Sequence, residues 1–252
     1  MKHLNEMQKE LSRAIKNLKR ASTQDIAFAQ NYVGRGSTLR YLGLSLPQTR
    51  SVLGTDLKVH RASLREQFIV FQKNWFGAST HDQKSLSIFW LENLSEENLL
   101  IYSKKILAWA PVIDNWALSD GLCNVFSKIF ELDANLALPI YKKWNAHKNP
   151  WLRRCSMVGL FYYSRSRKVQ PSFKLAASMV SPHFGADEYY VQKAVGWTIR
   201  EMYNVYPHET IQFIDNNLHR ITSIAWVAAS EKLKLDIKAK FLKTRRISRT
   251  KT

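Results

Sequence analysis

An all-α fold built from paired helices is predicted by three features of the sequence. Apolar residues recur at three- and four-residue intervals along nearly the whole chain, as in Leu99, Leu100, Tyr102 and Ile106, then Trp116, Leu118, Leu122, Phe126 and Ile129. That spacing lines one face of a helix, and the alternating β-branched runs that mark strands are missing. Pro111, Pro150, Pro171, Pro182 and Pro207 interrupt the pattern where proline, which has no N–H to donate, tends to open a helix. Typical helix lengths then divide the chain into about ten to twelve helices. Aromatic-polar sites centred on Trp116, Trp151 and Trp197 recur at separations within or near the HEAT and armadillo repeat range. The expected architecture is a HEAT-like or armadillo-like α-solenoid, and the curvature of such arrays gives a concave surface, here expected as a basic groove.

Composition narrows the partners. The chain has 252 residues, 45% of them hydrophobic, enough for a continuous core. Lys and Arg number 38 against 20 Asp and Glu, a formal charge of +18, which favours nucleic acid or an anionic membrane surface. No apolar stretch of about 18 residues is present, and the N-terminus alternates charged and apolar residues instead of carrying a signal-peptide core. A soluble, cytoplasmic protein without a membrane partner is expected. Cys123 and Cys155 lack CxxC spacing and nearby His residues, so buried thiols are expected in place of a zinc site or a disulfide. His60, His81 and His183 are isolated and are expected at the surface or in caps. No metal or organic cofactor is expected.

Two segments depart from the average. Residues 134–186 contain no Asp or Glu but carry Lys142, Lys143, Lys148, Arg153, Arg154, Arg165, Arg167, Lys168 and Lys174, a concentration that solubility alone does not require. This is the expected phosphate-binding segment. Residues 238–252 hold Lys238, Lys240, Lys243, Arg245, Arg246, Arg249 and Lys251 without an acid, and are expected as a frayed helix end or a disordered basic tail after a single helical domain at 1–237. Gly34-Arg35-Gly36-Ser37 lacks the strand context and spacing of a nucleotide-binding loop, and is expected as an interhelical turn.

Three helical stripes combine tryptophan with polar side chains. Trp116 and Asp120 lie four residues apart, so a helix projects both from one face. The plainer alternative is a core tryptophan beside a helix-start acid, with Asp114 or Asn115 as N-cap. Trp151 and Arg154 share a face on a helix opened by Asn149-Pro150; there Arg154 is either a phosphate clamp or a solvated or inter-repeat arginine. Lys193, Gly196, Trp197 and Arg200 align by offsets of three and four. Glycine inside a helix costs about 1 kcal/mol relative to alanine, so something needs close approach at Gly196, whether a ligand or a neighbouring helix. Arg153 and Lys148 extend the basic character around Trp151.

These residues also carry a resemblance. Asn-Trp-x-Leu-x-Asp at 115–120, Trp-x-x-Arg at 151–154 and Lys-Ala-Val-Gly-Trp-x-x-Arg-Glu at 193–201, in that order, resemble the AlkC/AlkD-type DNA alkylation-repair superfamily, AlkD-like glycosylases above all. The likeness extends over roughly residues 30 to 235, with Tyr41-Leu42-Gly43, Pro47 and Arg50 resembling an early family segment. It implies a HEAT-like α-solenoid that hydrolyses the N-glycosidic bond of cationic alkylpurines, such as 3-methyladenine and 7-methylguanine, in double-stranded DNA. By the same resemblance, Asp120 matches the catalytic aspartate and Trp116 and Trp197 match the tryptophans that bracket the lesion's deoxyribose. Arg154 matches an arginine that engages DNA near the lesion, and Lys193 and Arg200 fall within the third motif. The expected site is therefore Asp120, Trp116 and Trp197 as catalytic residues, with Arg154, Lys193, Arg200, Arg153, Lys148 and Trp151 binding DNA. Ala117 departs from the Asp often found in the family between the tryptophan and the catalytic aspartate.

The chemistry suits these residue types. Cleavage neutralises a cationic purine and moves positive charge onto the sugar, so a strong general acid is unnecessary. A carboxylate near the developing oxocarbenium ion, and aromatic faces against its polarised C–H groups, lower the barrier. Two other readings stay open: a noncatalytic binder of branched or distorted DNA, and a HEAT-type protein scaffold. A monomer is the default for a DNA-wrapping solenoid.

Overall fold

The computed structural model describes residues 2–33 and 36–249, with the side chains of 247–249 excepted; Gly34, Arg35 and Lys251 of the segments singled out above lie outside the described residues. Among the described residues there are fourteen α-helices and no strand: α1 (Lys2–Lys16), α2 (Thr23–Val33), α3 (Leu46–Ser51), α4 (Leu64–Gly77), α5 (His81–Glu92), α6 (Glu96–Leu107), α7 (Trp116–Leu132), α8 (Ala134–Asn145), α9 (Pro150–Phe161), α10 (Phe173–Val180), α11 (Tyr189–Val205), α12 (Pro207–Asn217), α13 (Ser223–Ala229) and α14 (Leu235–Arg249). The excess over the expected ten to twelve includes α3 and α13, six and seven residues long, which a division by typical helix length passes over. No helix among the described residues is long and apolar enough to cross a membrane.

Helix starts follow local chemistry. Ser63 and Glu66 form a capping box at α4, as Ser45 and Gln48 do at α3, and Thr80, Ser95, Asp133, Ser172 and Thr222 accept from the first turns of α5, α6, α8, α10 and α13. Each such cap is worth about 1 kcal/mol. Pro150 and Pro207 open α9 and α12, Pro111 and Pro182 lie in single 3₁₀ turns, and Pro171 precedes the α10 cap. Pro139 instead sits inside α8, where it removes one i→i−4 hydrogen bond.

The chain divides into two compact units, residues 1–125 and 126–252, with the boundary inside α7. The core of the first unit is aromatic. Trp75 and Trp109 stack at 5.5 Å between centroids, and the Trp75 indole donates to the Trp109 carbonyl at 3.1 Å. Phe71 stacks on Trp90 at 4.7 Å. Residues 37–44 cross this unit as a pinned strap. Asp114 accepts from Ser37 Oγ and the Thr38 N–H at 2.7 and 3.1 Å, and Asp82 accepts from the Leu42 and Leu44 N–H groups at 2.7 and 3.1 Å. The Tyr41 ring stacks on His81 at 4.4 Å. Gly36, within the expected turn, and Gly43 both have positive φ, which glycine adopts without penalty.

His81 and His183 are buried, contrary to the expectation of surface or capping positions, because Tyr41 covers the first and the second closes the 3₁₀ turn after α10. Burial lowers the His81 pKa to about 4, against smaller opposing effects of Asp82 and Asp114.

The second unit packs α8 and α9 together, with α9, α12 and α13 around α11. A methyl group at Gly196 would collide with the main-chain carbonyl of Ala225 on α13. Of the two readings of this glycine, the neighbouring helix is the one present. Cys123 and Cys155 are both buried, one in each unit. Near the chain end, Phe241 is buried against Trp226, and Arg245 donates to the carbonyls of Leu218 and Ile221 at 3.0 and 2.8 Å. Residues 238–249 thus continue α14.

Gly196→Ala is expected to destabilise the protein by about 1–3 kcal/mol despite alanine's higher helix propensity, because backbone has to move; thermal unfolding would show a Tm lower by about 5 °C. A second expectation concerns pH. The unfolded chain binds a proton at His81 near pH 6.5 and the folded chain only near 4. This group's contribution is therefore complete above about 6.5 and is lost as pH falls towards 4. Denaturant titrations at pH 7 and pH 5 should differ by on the order of 1–2 kcal/mol from this residue, and His81→Gln should remove that part of the slope.

Candidate functional site

Of the eight tryptophans, Trp75, Trp90, Trp109, Trp144 and Trp226 are buried core residues. Trp116, Trp151 and Trp197, the three in the polar stripes, are the three that keep part of their surface in solvent. Hydrophobic burial accounts for the first group and leaves the exposed indole surface of the second without a packing reason.

In the first unit the N-terminus of α7 is fixed twice. Asn115, 1% exposed, accepts from the Leu118 N–H at 3.0 Å, and its own amide donates to Asp114 at 3.0 Å. Asn115 is therefore the N-cap, and Asp114 ties the helix start to the 37–44 strap. Trp116 and Asp120 follow on one face, both half-exposed. The Trp116 indole N–H donates to the Tyr32 carbonyl at 3.2 Å, and the Tyr32 ring meets it edge-on at 5.6 Å. Phe28 stacks on Tyr32 at 5.8 Å, so α2 extends the aromatic surface beside Trp116. One residue beyond Asp120, a methyl group at Gly121 would come within 3.2 Å of Ile88, placing this turn of α7 against α5. What the arrangement offers is an aromatic plate and a carboxylate on a rigid, capped helix end.

In the second unit two clusters form along α11. At its start, Trp151 lies 5.0 Å from Tyr190 between ring centroids, and Arg154, 5% exposed, donates to the Tyr190 carbonyl at 3.1 Å. Arg153 pairs with Glu188, which holds the Glu188 carboxyl below its ordinary pKa. Arg167 pairs with Glu131 at 3.3 Å. The acid-free segment 134–186 thus finds carboxylates outside its own limits. Lys142, Lys143, Lys148 and Lys174 are exposed, and Lys193 is half-exposed.

The second cluster surrounds Trp197. Tyr162 stacks on its ring at 5.9 Å, Tyr163 meets it edge-on at 6.4 Å, and the Arg200 guanidinium lies 5.2 Å from its centroid. Arg200 is held by Glu201 at 2.9 Å and Glu231 at 2.8 Å, and the bonds from Arg200 and Lys232 lower the Glu231 pKa. Glu201, 3% exposed, also accepts from the Ser164 N–H and hydroxyl at 3.0 and 2.6 Å and from Asn204 at 3.2 Å. Beside these groups is a cleft of about 590 Å³ lined by Tyr163, Arg165, Asn204, Glu231 and Lys232 among others. Sequence reasoning passed over Tyr163, Lys232 and Tyr32. Nothing in the sequence marks Tyr163, whereas Tyr32 follows Phe28 at the four-residue helical interval and could have been found.

Among the described residues, no group of three His, Cys, Asp or Glu side chains is placed to hold a metal ion.

Comparison with known proteins shows the fold and the family. The chain is similar in structure to a predicted DNA alkylation repair enzyme from Enterococcus faecalis, with a TM-score of 0.67 and 15% identity over 86% of this chain and 99% of that one. It is also similar to AlkD2 from Streptococcus mutans, with a TM-score of 0.52 and 16% identity over 90% of this chain and 99% of that one. At such identities the likeness establishes the all-helical fold. No curated protein matches the sequence. The model of one family, described as DNA alkylation repair enzyme, matches residues 8–233, a span that contains all three tryptophan stripes and both units' clusters. The chain belongs to the DNA alkylation repair enzyme family.

Proposed function

We propose that the protein is a DNA glycosylase that hydrolyses the N-glycosidic bond of cationic alkylpurines in duplex DNA, with Asp120 as the catalytic carboxylate. The observation that carries this reading is the pairing of Trp116 and Asp120, both partly exposed, on one stripe of α7, at a helix start whose cap and strap contacts fix its direction. In a family of DNA alkylation repair enzymes, a half-exposed carboxylate beside an aromatic plate is suited to an oxocarbenium-like transition state. The purine leaves neutral, the anomeric carbon becomes electron-poor, and a pre-placed negative charge stabilises it without reorganisation. The carboxylate is also able to orient the attacking water. Trp116 supplies a π face that attracts positively polarised sugar C–H groups, and Trp197 is assigned the same kind of role on the DNA-facing surface of the second unit.

Affinity comes from phosphate neutralisation. The net charge of +18 and the exposed Lys142, Lys143, Lys148 and Lys174 support a sequence-independent electrostatic term. Lys193 is assigned a direct DNA contact. Arg153, Arg154 and Arg200, already engaged by Glu188, the Tyr190 carbonyl, and Glu201 with Glu231, are assigned to holding Trp151 and Trp197 in the DNA-facing surface. No cofactor is needed, and the chain is taken to act as a monomer.

The test is release of methylated purines from alkylated duplex DNA by wild type and Asp120→Asn in parallel. Loss of about 100- to 1000-fold in rate, with duplex affinity kept within about threefold, is the expected result; equal release by both proteins would remove Asp120 from the mechanism. Tight binding without release by either would make the protein a noncatalytic DNA-structure binder. For binding itself, raising salt from about 50 to about 200 mM should weaken duplex affinity tenfold or more, as counterion release by two or more phosphate contacts requires. A salt-independent affinity would contradict the electrostatic term.

A further inference from the structure

Tyr163 is the one non-glycine residue among those described with a positive φ, 48°. A left-handed conformation is uncommon for a bulky side chain and persists only where the surroundings over-determine it. Here the determinant is buried: Glu201 grips the Ser164 N–H and hydroxyl, Gln170 donates to the Ser164 carbonyl at 2.7 Å, and Arg167 donates to the Tyr162 carbonyl at 2.9 Å. Four side-chain hydrogen bonds thus fix a turn whose product is an aromatic ring turned outward. Tyr163 is 59% exposed, so packing does not explain the strain.

The exposed ring stands at the edge of Trp197 and lines the cleft together with Arg165 and Lys232. Arg165 donates to the neutral Asn204 amide oxygen at 3.3 Å and forms no ion pair among the described residues, and Lys232 is bound to Glu231 at 3.0 Å. Counting Arg165, Arg200 and Lys232 against Glu201 and Glu231, the cleft lining carries one net positive charge. That is the charge one phosphodiester neutralises, and an outward aromatic ring beside it is the surface on which a base or sugar stacks.

We infer that this cleft is a nucleotide subsite of the bound DNA, in which Tyr163 stacks on a nucleotide neighbouring the one at Trp197 while Arg165 and Lys232 hold its phosphate. The inference rests on the DNA reading of the preceding subsection and deepens it. Stacking on an aromatic ring tolerates any base, which suits a protein that selects damage and not sequence.

The test uses the full chain, an undamaged duplex and a duplex with one stable abasic-site analogue, with affinities measured by fluorescence anisotropy for wild type, Tyr163→Phe, Tyr163→Ala and Tyr163→Gly, and a Tm for each. Tyr163→Phe should bind within about twofold of wild type, and Tyr163→Ala about tenfold more weakly. Tyr163→Gly separates function from folding: glycine relieves the left-handed strain, so this variant should melt at or above the wild-type Tm and still lose the same affinity. Weak binding accompanied by a lowered Tm in Tyr163→Gly would make Tyr163 a packing residue and overturn the inference, as would wild-type affinity in Tyr163→Ala. Arg165→Gln should reduce the salt slope by about one; an unchanged slope would overturn the phosphate contact. A wild-type chain that binds neither duplex would remove the DNA reading itself, whereas strong wild-type binding unaffected by these substitutions would remove only the subsite.

Discussion

The second unit depends on one close approach. At Gly196 the backbone of α11 runs so near the Ala225 carbonyl of α13 that no side chain fits between them. Helices this close cannot slide or rotate independently, since every residue near the contact is fixed by backbone and not by an adaptable side chain. Trp197 is the next residue, and Lys193 and Arg200 lie one turn to either side. Their directions are consequences of that contact. The cost of a mid-helix glycine, about 1 kcal/mol, accompanies a close helix contact beside which the Trp197 ring is held to one rotation of α11.

A buried carboxylate plays the complementary part. Glu201 receives the Arg200 guanidinium, the Asn204 amide and two donors of Ser164. A charge this deep is tolerable only when its lone pairs are nearly all used. One acid thereby couples the turn after α9 to the exposed face of α11. The first unit solves a similar problem with Asp114 and Asp82, whose oxygens take the donors of the 37–44 strap. In both units, acids of a strongly basic protein hold irregular backbone in place.

Much of this was legible in the sequence. The three-and-four periodicity around Trp116, Trp151 and Trp197 identified the helices, and the polar company of these tryptophans set them apart from the five that fill the core. A cap at Asp114 or Asn115 was readable because such a side chain acts within its own turn, and Asn115 is the one that caps. Gly196 announced a close approach but not by what, since α13 lies about 30 residues downstream and backbone proximity leaves no local signature. The partners of the basic segment were illegible for the same reason: Glu188 and Glu131 reach Arg153 and Arg167 from 35 and 36 residues away. Local composition records where charges are dense and is silent on which are already paired. The left-handed backbone at Tyr163 had no marker either, as neither glycine nor asparagine stands there.

The docking of α14 changes how the basic end of the chain has to be dissected. Phe241 fills space against Trp226, and Arg245 occupies carbonyls between α12 and α13. A truncation before Phe241, whether by a protease or by a stop codon, would strip hydrophobic core and orphan those carbonyls along with removing positive charge. Weaker nucleic-acid binding in such a shortened chain would then report partial unfolding as much as lost electrostatics. Neutralising Lys240 and Lys243, which are exposed on the same helix, removes charge alone and leaves the anchor intact.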